Sequence, residues 1–328
     1  MEKYSVALCT YNGERYIAEQ LESILNQSIP PDEIIISDDG SKDRTLEIVA
    51  GIINTRKVNC KILKNPGPHG VTNNFLYAIS VCENDCIFTS DQDDVWVNKK
   101  AETMLQIFSE NERALLVFSN GELVDQDLKP LNCSMWESVG ITDEMLNKQN
   151  WFLYLLNRCI VTGAAMAFKK ELLMPDEEIP PCWLHDGWLA WKAAVREGLI
   201  PCAEQLILYR QHGNNVVGMS GKSVTKKIKG YISGFLQNPA IHQERYNRYS
   251  AVMDCLGNEL SILQKKELQE CITFWKDLSL NDSNPLKLNA IKCIWKHYRK
   301  GDYSRFYNGS RGVGRDLLCV FAEKGREM

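Results

Sequence analysis

The chain has 328 residues, 44% of them hydrophobic and 24% charged, with a formal net charge of −4. That length can bury a sizeable core and leaves room for an appendage beyond one large domain. The composition is that of an ordinary globular protein, and charge breaks every apolar run before the ~20 residues a membrane-spanning helix needs.

Met1-Glu2-Lys3-Tyr4-Ser5 runs almost directly into a strand-like stretch and leaves no room for a signal peptide, so a cytoplasmic location is expected. Ser5–Cys9 reads as the first strand, and Ile17, Leu21, Ile24 and Leu25 then recur at helical spacing until Gln27–Pro31 end the helix. Glu33–Ser37 is the second strand. It is followed by the tight loop Asp38-Asp39-Gly40-Ser41 and a helix marked by Leu46, Val49, Ala50 and Ile53. Lys61–Lys64 is a brief third strand and Asn65-Pro66-Gly67-Pro68-His69-Gly70 a loop dense in turn residues. A helix bearing Phe75, Ala78, Ile79 and Cys82 leads to the strand Cys86–Ser90. This alternation predicts βαβ units on a mostly parallel sheet flanked by helices, an α/β fold.

Beyond it, Leu115–Ser119 and Thr162–Phe168 read as strands, Asp186–Arg196 as a helix and Glu204–Tyr209 as the last clear strand. From about Val224 the pattern is helical and increasingly basic. A boundary near Ser220 separates an expected α/β domain, residues 1–220, from a helical C-terminal region, 221–328. Twelve cysteines are scattered singly and none has C-x-x-C spacing, so reduced cysteines packed as small hydrophobes are expected.

Asp91-Gln92-Asp93-Asp94 places three carboxylates directly after a buried strand. Crowded carboxylates repel one another unless a cation lies between them, and a hard divalent ion with few protein ligands completes its shell with water and substrate phosphates. The cluster therefore points to a nucleotide ligand, with a solvated acidic turn as the competing reading. Thr10-Tyr11-Asn12 and Asp38–Ser41 also follow strands. In an open α/β sheet such loops converge on a crevice outside the strands' carboxyl ends.

Asp39 is placed to accept a hydrogen bond from a base or ribose, with Asp38 or Ser41 capping the next helix; capping by Asp39 itself is the alternative. Asp186, among Trp183, Trp188 and Trp191, reads either as a general base or as a helix cap, and the tryptophans either stack on a sugar or pack the core. In Tyr209-Arg210-Gln211-His212-Gly213-Asn214-Asn215, Arg210 suits a diphosphate, and neutral His212 suits a metal shell or a phosphate. From Lys287 to Met328 there are ten Lys or Arg against four Asp or Glu, a charge of +6 that leaves −10 for the remainder. With Trp295, Tyr298, Tyr303, Phe306, Tyr307 and Phe321 interspersed, this tail suits an anionic membrane surface or nucleic acid, against a plain solvated helical end.

Taken in order, Ser5–Gly13, Leu21–Ser28, Ile36–Asp43, Ser90–Trp96, Thr162–Phe168, His185-Asp186 and Tyr209–Asn215 resemble the family-2 glycosyltransferases with the GT-A fold. The wording Asp91-Gln92-Asp93-Asp94-Val95-Trp96 and Tyr209–Asn215 is similar to the bacterial branch described as rhamnosyltransferases of cell-surface polysaccharides. The resemblance implies an inverting transferase that moves a sugar from a nucleoside diphosphate to a hydroxyl of a glycan or lipid-linked glycan, with possible donor dTDP-L-rhamnose. It implies Thr10, Tyr11, Asn12 and Asp39 at the nucleoside and the cluster Asp91–Asp94 at the ribose and, through Mn²⁺ or Mg²⁺ held among Asp91, Asp93 and Asp94, at the diphosphate; His212 is the residue placed to complete the metal shell. Arg210 falls at the diphosphate and Asp186 at the position of the catalytic base. Two registers, Asp91-x-Asp93 and Asp93-Asp94, are open for the metal carboxylates. Peripheral membrane contact through the basic C-terminus is compatible with this role, and no nucleic-acid partner is expected. A sugar-nucleotide nucleotidyltransferase is the competing enzyme, but Thr10-Tyr11-Asn12-Gly13-Glu14 lacks the Gly-rich, Arg/Lys-bearing loop that would meet a triphosphate. A membrane-surface scaffold leaves the acidic crevice unexplained.

Overall fold

A computed structural model describes residues 2–56, 58–174, 177–212, 241–282 and 287–322. The expected boundary near Ser220, the helical onset near Val224 and the motif residues Gly213, Asn214 and Asn215 lie outside these described residues. Two compact units are present. The first comprises Met1–Lys148, Ile160–Ile179 and Leu184–Gly221, and the second Gln149–Cys159, Pro180–Trp183 and Lys222–Met328.

In the first unit the chain runs β1 (Tyr4–Thr10), α1 (Ile17–Leu25), β2 (Glu33–Asp38), α2 (Thr45–Ile53), β3 (Cys60–Lys64), α3 (Val71–Val81), β4 (Cys86–Ser90), β5 (Val95–Trp96), α4 (Lys100–Glu110), β6 (Leu116–Val124), β7 (Pro130–Ser134), α5 (Met135–Val139) and α6 (Asp143–Lys148). After α7 (Trp151–Leu155), which belongs to the second unit, come β8 (Met166–Lys169), α8 (His185–Val195) and β9 (Leu199–Arg210). The sheet order is β3-β2-β1-β4-β8-β6-β9-β5, with β7 paired to β6. Strands β3, β2, β1 and β4 are parallel, as the sequence predicts. The sheet then becomes mixed: β8 is antiparallel to both β4 and β6, and β5 is antiparallel to β9.

The strand core is continuous apolar sequence buried on both faces, which is why Val6–Leu8, Ile34–Ile36 and Cys86–Phe88 are inaccessible. The expected strand Thr162–Phe168 is only half strand. Gly163–Ala165 forms a 3₁₀ turn before β8, since two small residues after a glycine offer no branched side chain to hold an extended ladder.

The second unit contains α9 (Ile241–Leu256), α10 (Ile262–Asp282), α11 (Lys287–Lys300), α12 (Asp302–Phe306) and α13 (Ser310–Ala322). Its core is aromatic: Tyr249, Phe274, Trp275, Tyr303 and Phe306 are buried. Several of the polar groups inside are paired. Tyr303 donates to Asp316 (2.6 Å), and His297 lies between Asp302 (2.7 Å) and Asp277 (3.1 Å). All twelve cysteines are free, and Cys9, Cys82, Cys86, Cys202 and Cys271 are buried. Among the described residues, no helix is long and apolar enough to cross a membrane.

Candidate active site

Registers in the parallel half of the sheet bring the predicted loops together. Thr10 lies opposite Asp38 across β1 and β2, and Leu8 lies opposite Ser90 across β1 and β4, so three adjacent strands end side by side. Thr10 Oγ1 donates to Asp38 Oδ1 (2.9 Å), while Asp38 Oδ2 accepts from the amides of Gly40 (3.0 Å) and Ser41 (2.8 Å). Asp38 thus builds the loop and does not cap α2. Asp43 serves that helix start by accepting from the Thr45 amide (3.0 Å), which replaces the cap expected from Asp38 or Ser41.

Asp39 does not cap a helix either. Its Oδ1 accepts from Asn65 Nδ2 (2.6 Å) and pairs with His69 Nδ1 (2.9 Å), and its Oδ2 accepts from the Gly70 amide (2.8 Å). Burial opposes its charge, but the bonds from Gly70, His69 and Asn65 outweigh burial and hold the carboxyl below its usual range. Asn12 sits in the left-handed region (φ 48°) and its Oδ1 accepts from the Lys42 amide (2.9 Å). Tyr11 is 55% exposed, a free ring face at the edge of the site.

The acidic loop departs from β4 into β5. Asp94 is buried: Oδ1 accepts from the Arg210 amide (2.9 Å), and Oδ2 has no hydrogen-bond partner among the described residues. Asp91 and Asp93 are only half-buried. Burial first, then the charges of Asp93 and Asp186, push the Asp91 carboxyl up to about 7, with Lys100 opposing. Asp94 is likewise raised well above its usual range, by burial first and then by Asp93 and Asp91. His212 Nε2 meets Asp93 Oδ2 at 2.7 Å, and its ring stacks on Tyr16 at 5.1 Å.

This donor set suits a hard divalent ion: crowded carboxylates, one imidazole and a buried carboxylate oxygen without a hydrogen bond. Among the described residues, no three His, Cys, Asp or Glu side chains already converge on one ligating point. Asp93 and His212 instead close on each other, and an ion held by both would replace their hydrogen bond. Of these carboxylates, Asp91 and Asp93 are half-buried, while Asp94 is buried with one oxygen on the Arg210 amide.

Arg210 is 1% exposed, and its guanidinium is already committed within the protein. Nε donates to the Asp93 carbonyl (2.7 Å), Nη1 to the Gln126 carbonyl (2.7 Å) and Nη2 to Glu19 (2.6 Å), while the group lies 4.4 Å over Tyr16. These bonds make the guanidinium a brace for the acidic loop, through the Asp93 carbonyl. An Arg following a strand looks exposed in sequence, and only the tertiary fold supplies these acceptors.

Asp186 lies in the first turn of α8, where the N-cap position is Leu184 and makes no side-chain cap. Asp186 Oδ2 instead accepts from the Gly163 amide (3.1 Å), and the Gly163 carbonyl accepts from Thr89 Oγ1 (2.6 Å), two residues before Asp91. Buried His185 stacks on Phe75 at 4.1 Å, and burial pulls its pKa down and keeps it neutral. The tryptophans are not a sugar platform. Trp188 and Trp191 are fully buried, and Trp183 packs in the second unit against Tyr249, edge-on at 6.5 Å. An apolar helix start needs bulky core residues there.

Two polar residues to which the sequence assigned no role complete the site. Gln92 accepts from the Tyr11 amide (2.8 Å) and donates to the Tyr11 carbonyl (3.0 Å). Lys100, wholly buried, donates to the Ala164 carbonyl (2.6 Å) and sits 4.0 Å over the Trp96 ring; burial pulls its ammonium down to about 7 against the attraction of Asp94 and Asp91. Lys100→Met is expected to lower stability by about 1–3 kcal/mol, because the Ala164 carbonyl would be left buried without its donor. Urea unfolding at neutral pH measures it, and an unchanged midpoint would show the ammonium to be dispensable.

The sequence model described as "Glycosyl transferase family 2" matches residues 5–174. The dTDP-rhamnosyl transferase RfbG of Shigella flexneri is 26% identical over 283 residues, covering 82% of this chain and 93% of the relative. The crystal structure of Staphylococcus aureus TarS residues 1–349 with UDP superposes with a TM-score of 0.57 at 14% identity, covering 98% of this chain and 91% of that one. A mannosyltransferase of Pyrobaculum calidifontis, solved with GDP-Man and Mn²⁺, gives a TM-score of 0.57 at 14% identity, covering 100% of this chain and 88% of its own. These structural likenesses show the GT-A fold. With the family match spanning more than half of its length, the chain belongs to glycosyl transferase family 2 and is a glycosyltransferase.

Proposed function

We propose that the chain is an inverting, metal-dependent transferase that moves L-rhamnose from dTDP-rhamnose to a hydroxyl of a growing bacterial surface glycan or its lipid-linked precursor. The observation that carries the reaction type is geometric: Asp186 accepts from the Gly163 amide, and the Gly163 carbonyl accepts from Thr89 on the strand that ends just before Asp91, so a carboxylate at a helix start is tied to the acidic loop at a strand end. The rhamnosyl donor is supported by the likeness to the dTDP-rhamnosyl transferase over most of both chains.

Thr10 and Asn12 shape the loop, Tyr11 offers its exposed ring, and Asp39, held ionised by its three donors, accepts from the nucleoside. Asp91 and Asp93, with His212, would hold Mn²⁺ or Mg²⁺, which when bound supplies positive charge to the leaving diphosphate. Arg210 positions the loop through the Asp93 carbonyl. Asp186 takes the proton of an acceptor hydroxyl. The acceptor oxygen then bonds to the anomeric carbon on the face opposite the nucleotide as the bond to the diphosphate breaks, so the configuration inverts.

A thermal-shift panel of nucleotide sugars with Mn²⁺ tests the donor. A ligand at a hundred times its Kd stabilises the native state by about 2.7 kcal/mol, so dTDP-rhamnose is expected to give the largest shift. A larger shift with a UDP- or GDP-sugar would overturn the rhamnosyl reading, and no shift with any of them would overturn nucleotide-sugar binding.

A further inference from the structure

Helix α11, Lys287–Lys300, is apolar on two sides. Ala290, Ile294 and His297 are buried within the second unit. On the other side Leu288 is 63%, Trp295 51% and Tyr298 48% exposed, with half-buried Ile291 between them. The positions 288, 291, 295 and 298 alternate by three and four residues and so form one stripe along the helix. The Trp295 and Tyr298 rings meet edge to face, with centroids 5.5 Å apart. Lys292 and Arg299 are exposed beside the stripe, and the helix carries five Lys or Arg and no Asp or Glu. Among the described residues, the inner side packs within the second unit while the outer stripe stays largely exposed.

We propose that this stripe docks on a bilayer surface bearing anionic headgroups. Leu288, Ile291, Trp295 and Tyr298 enter the boundary between headgroups and acyl chains, and Lys292 and Arg299 remain at headgroup level with their stems along the apolar surface. Trp and Tyr suit that boundary because each has an apolar body and a polar tip. Charge selects the occupant: the segment from Lys287 onward carries +6 in a chain whose remainder carries −10, so an anionic surface attracts this end and repels the rest. A second copy of the chain fits poorly, because two such helices face to face bring like charges together with no acid between them. This surface is separate from sugar transfer and is measured without a donor.

Co-sedimentation of the full chain with phosphatidylglycerol-rich vesicles tests it. Wild type is expected to bind, to release as salt rises, and to bind phosphatidylcholine vesicles far more weakly. Trp295→Ser with Tyr298→Ser is expected to weaken binding at least about tenfold, since the interfacial apolar area is removed. Lys292→Glu with Arg299→Glu is expected to abolish the preference for anionic lipid. Ile262→Ser, at a residue 90% exposed on α10, is expected to change nothing. Equal binding by the double serine variant, equal binding to both vesicle types, an equal loss in Ile262→Ser, or a wild-type dimer that the double serine variant dissolves would each overturn the proposal.

Discussion

Asp186→Asn is expected to lower kcat by about 10²–10⁴-fold, the range a positioned general base supplies, while leaving the donor Kd within about twofold. The reason lies in how the side chain is held. One oxygen accepts from the Gly163 amide and the other from the Gly187 amide, so the carboxylate is fixed at the start of α8 by backbone donors and not by any nucleotide-binding residue. Asparagine keeps the volume and the bond to one amide but has no basic oxygen to take a proton. Single-turnover kinetics with donor-binding calorimetry separates the effects: kcat falls and affinity holds. Undiminished turnover would remove Asp186 as the base, and a parallel loss of donor affinity would place it in donor binding.

The second large effect is expected at Asp93→Ala. Removing a direct ligand should cost at least the ~10–100-fold in metal affinity that outer-shell partners cost, and nucleotide affinity should fall with it. A chelator should produce the same loss in wild type and add nothing in the variant. The pH dependence carries a sign. Burial and the charges of Asp93 and Asp186 raise Asp91 to about 7, and an ion requires its ionised form, so metal-dependent nucleotide affinity should rise as pH increases through about 7. In Asp93→Ala, where the metal dependence is lost, this rise with pH should disappear. Equal nucleotide affinity with and without chelator in wild type would refute the metal site.

The strands that build the site were legible because each is a short apolar run closed by polar turn residues, and a buried parallel strand has no other way to be written. The convergence of Thr10, Asp39 and Asp91 followed from topology alone. Val95–Trp96 was not legible, since a two-residue strand has no periodicity. Pro130–Ser134 is an edge strand with its first three residues exposed and has no apolar alternation to read. Arg210, Gln92 and Lys100 show a different limit. Their partners lie 117, 81 and 64 residues away in the chain, so their roles belong to tertiary packing and have no local signature. The tryptophans around Asp186 stayed open between two readings for a related reason: an indole stacked on a sugar and an indole in a core are spelled alike.

The pair of bonds between Gln92 and the Tyr11 backbone has a consequence for ligand binding. Gly13 has room for nothing more, because a β-carbon there would lie 2.1 Å from Gln92 Oε1. The loop after β1 and the loop after β4 are therefore tied together by one side-chain amide before any donor arrives, at a spacing set by the fold. A ligand that bridges the two loops meets a tie already made between Gln92 and the Tyr11 backbone.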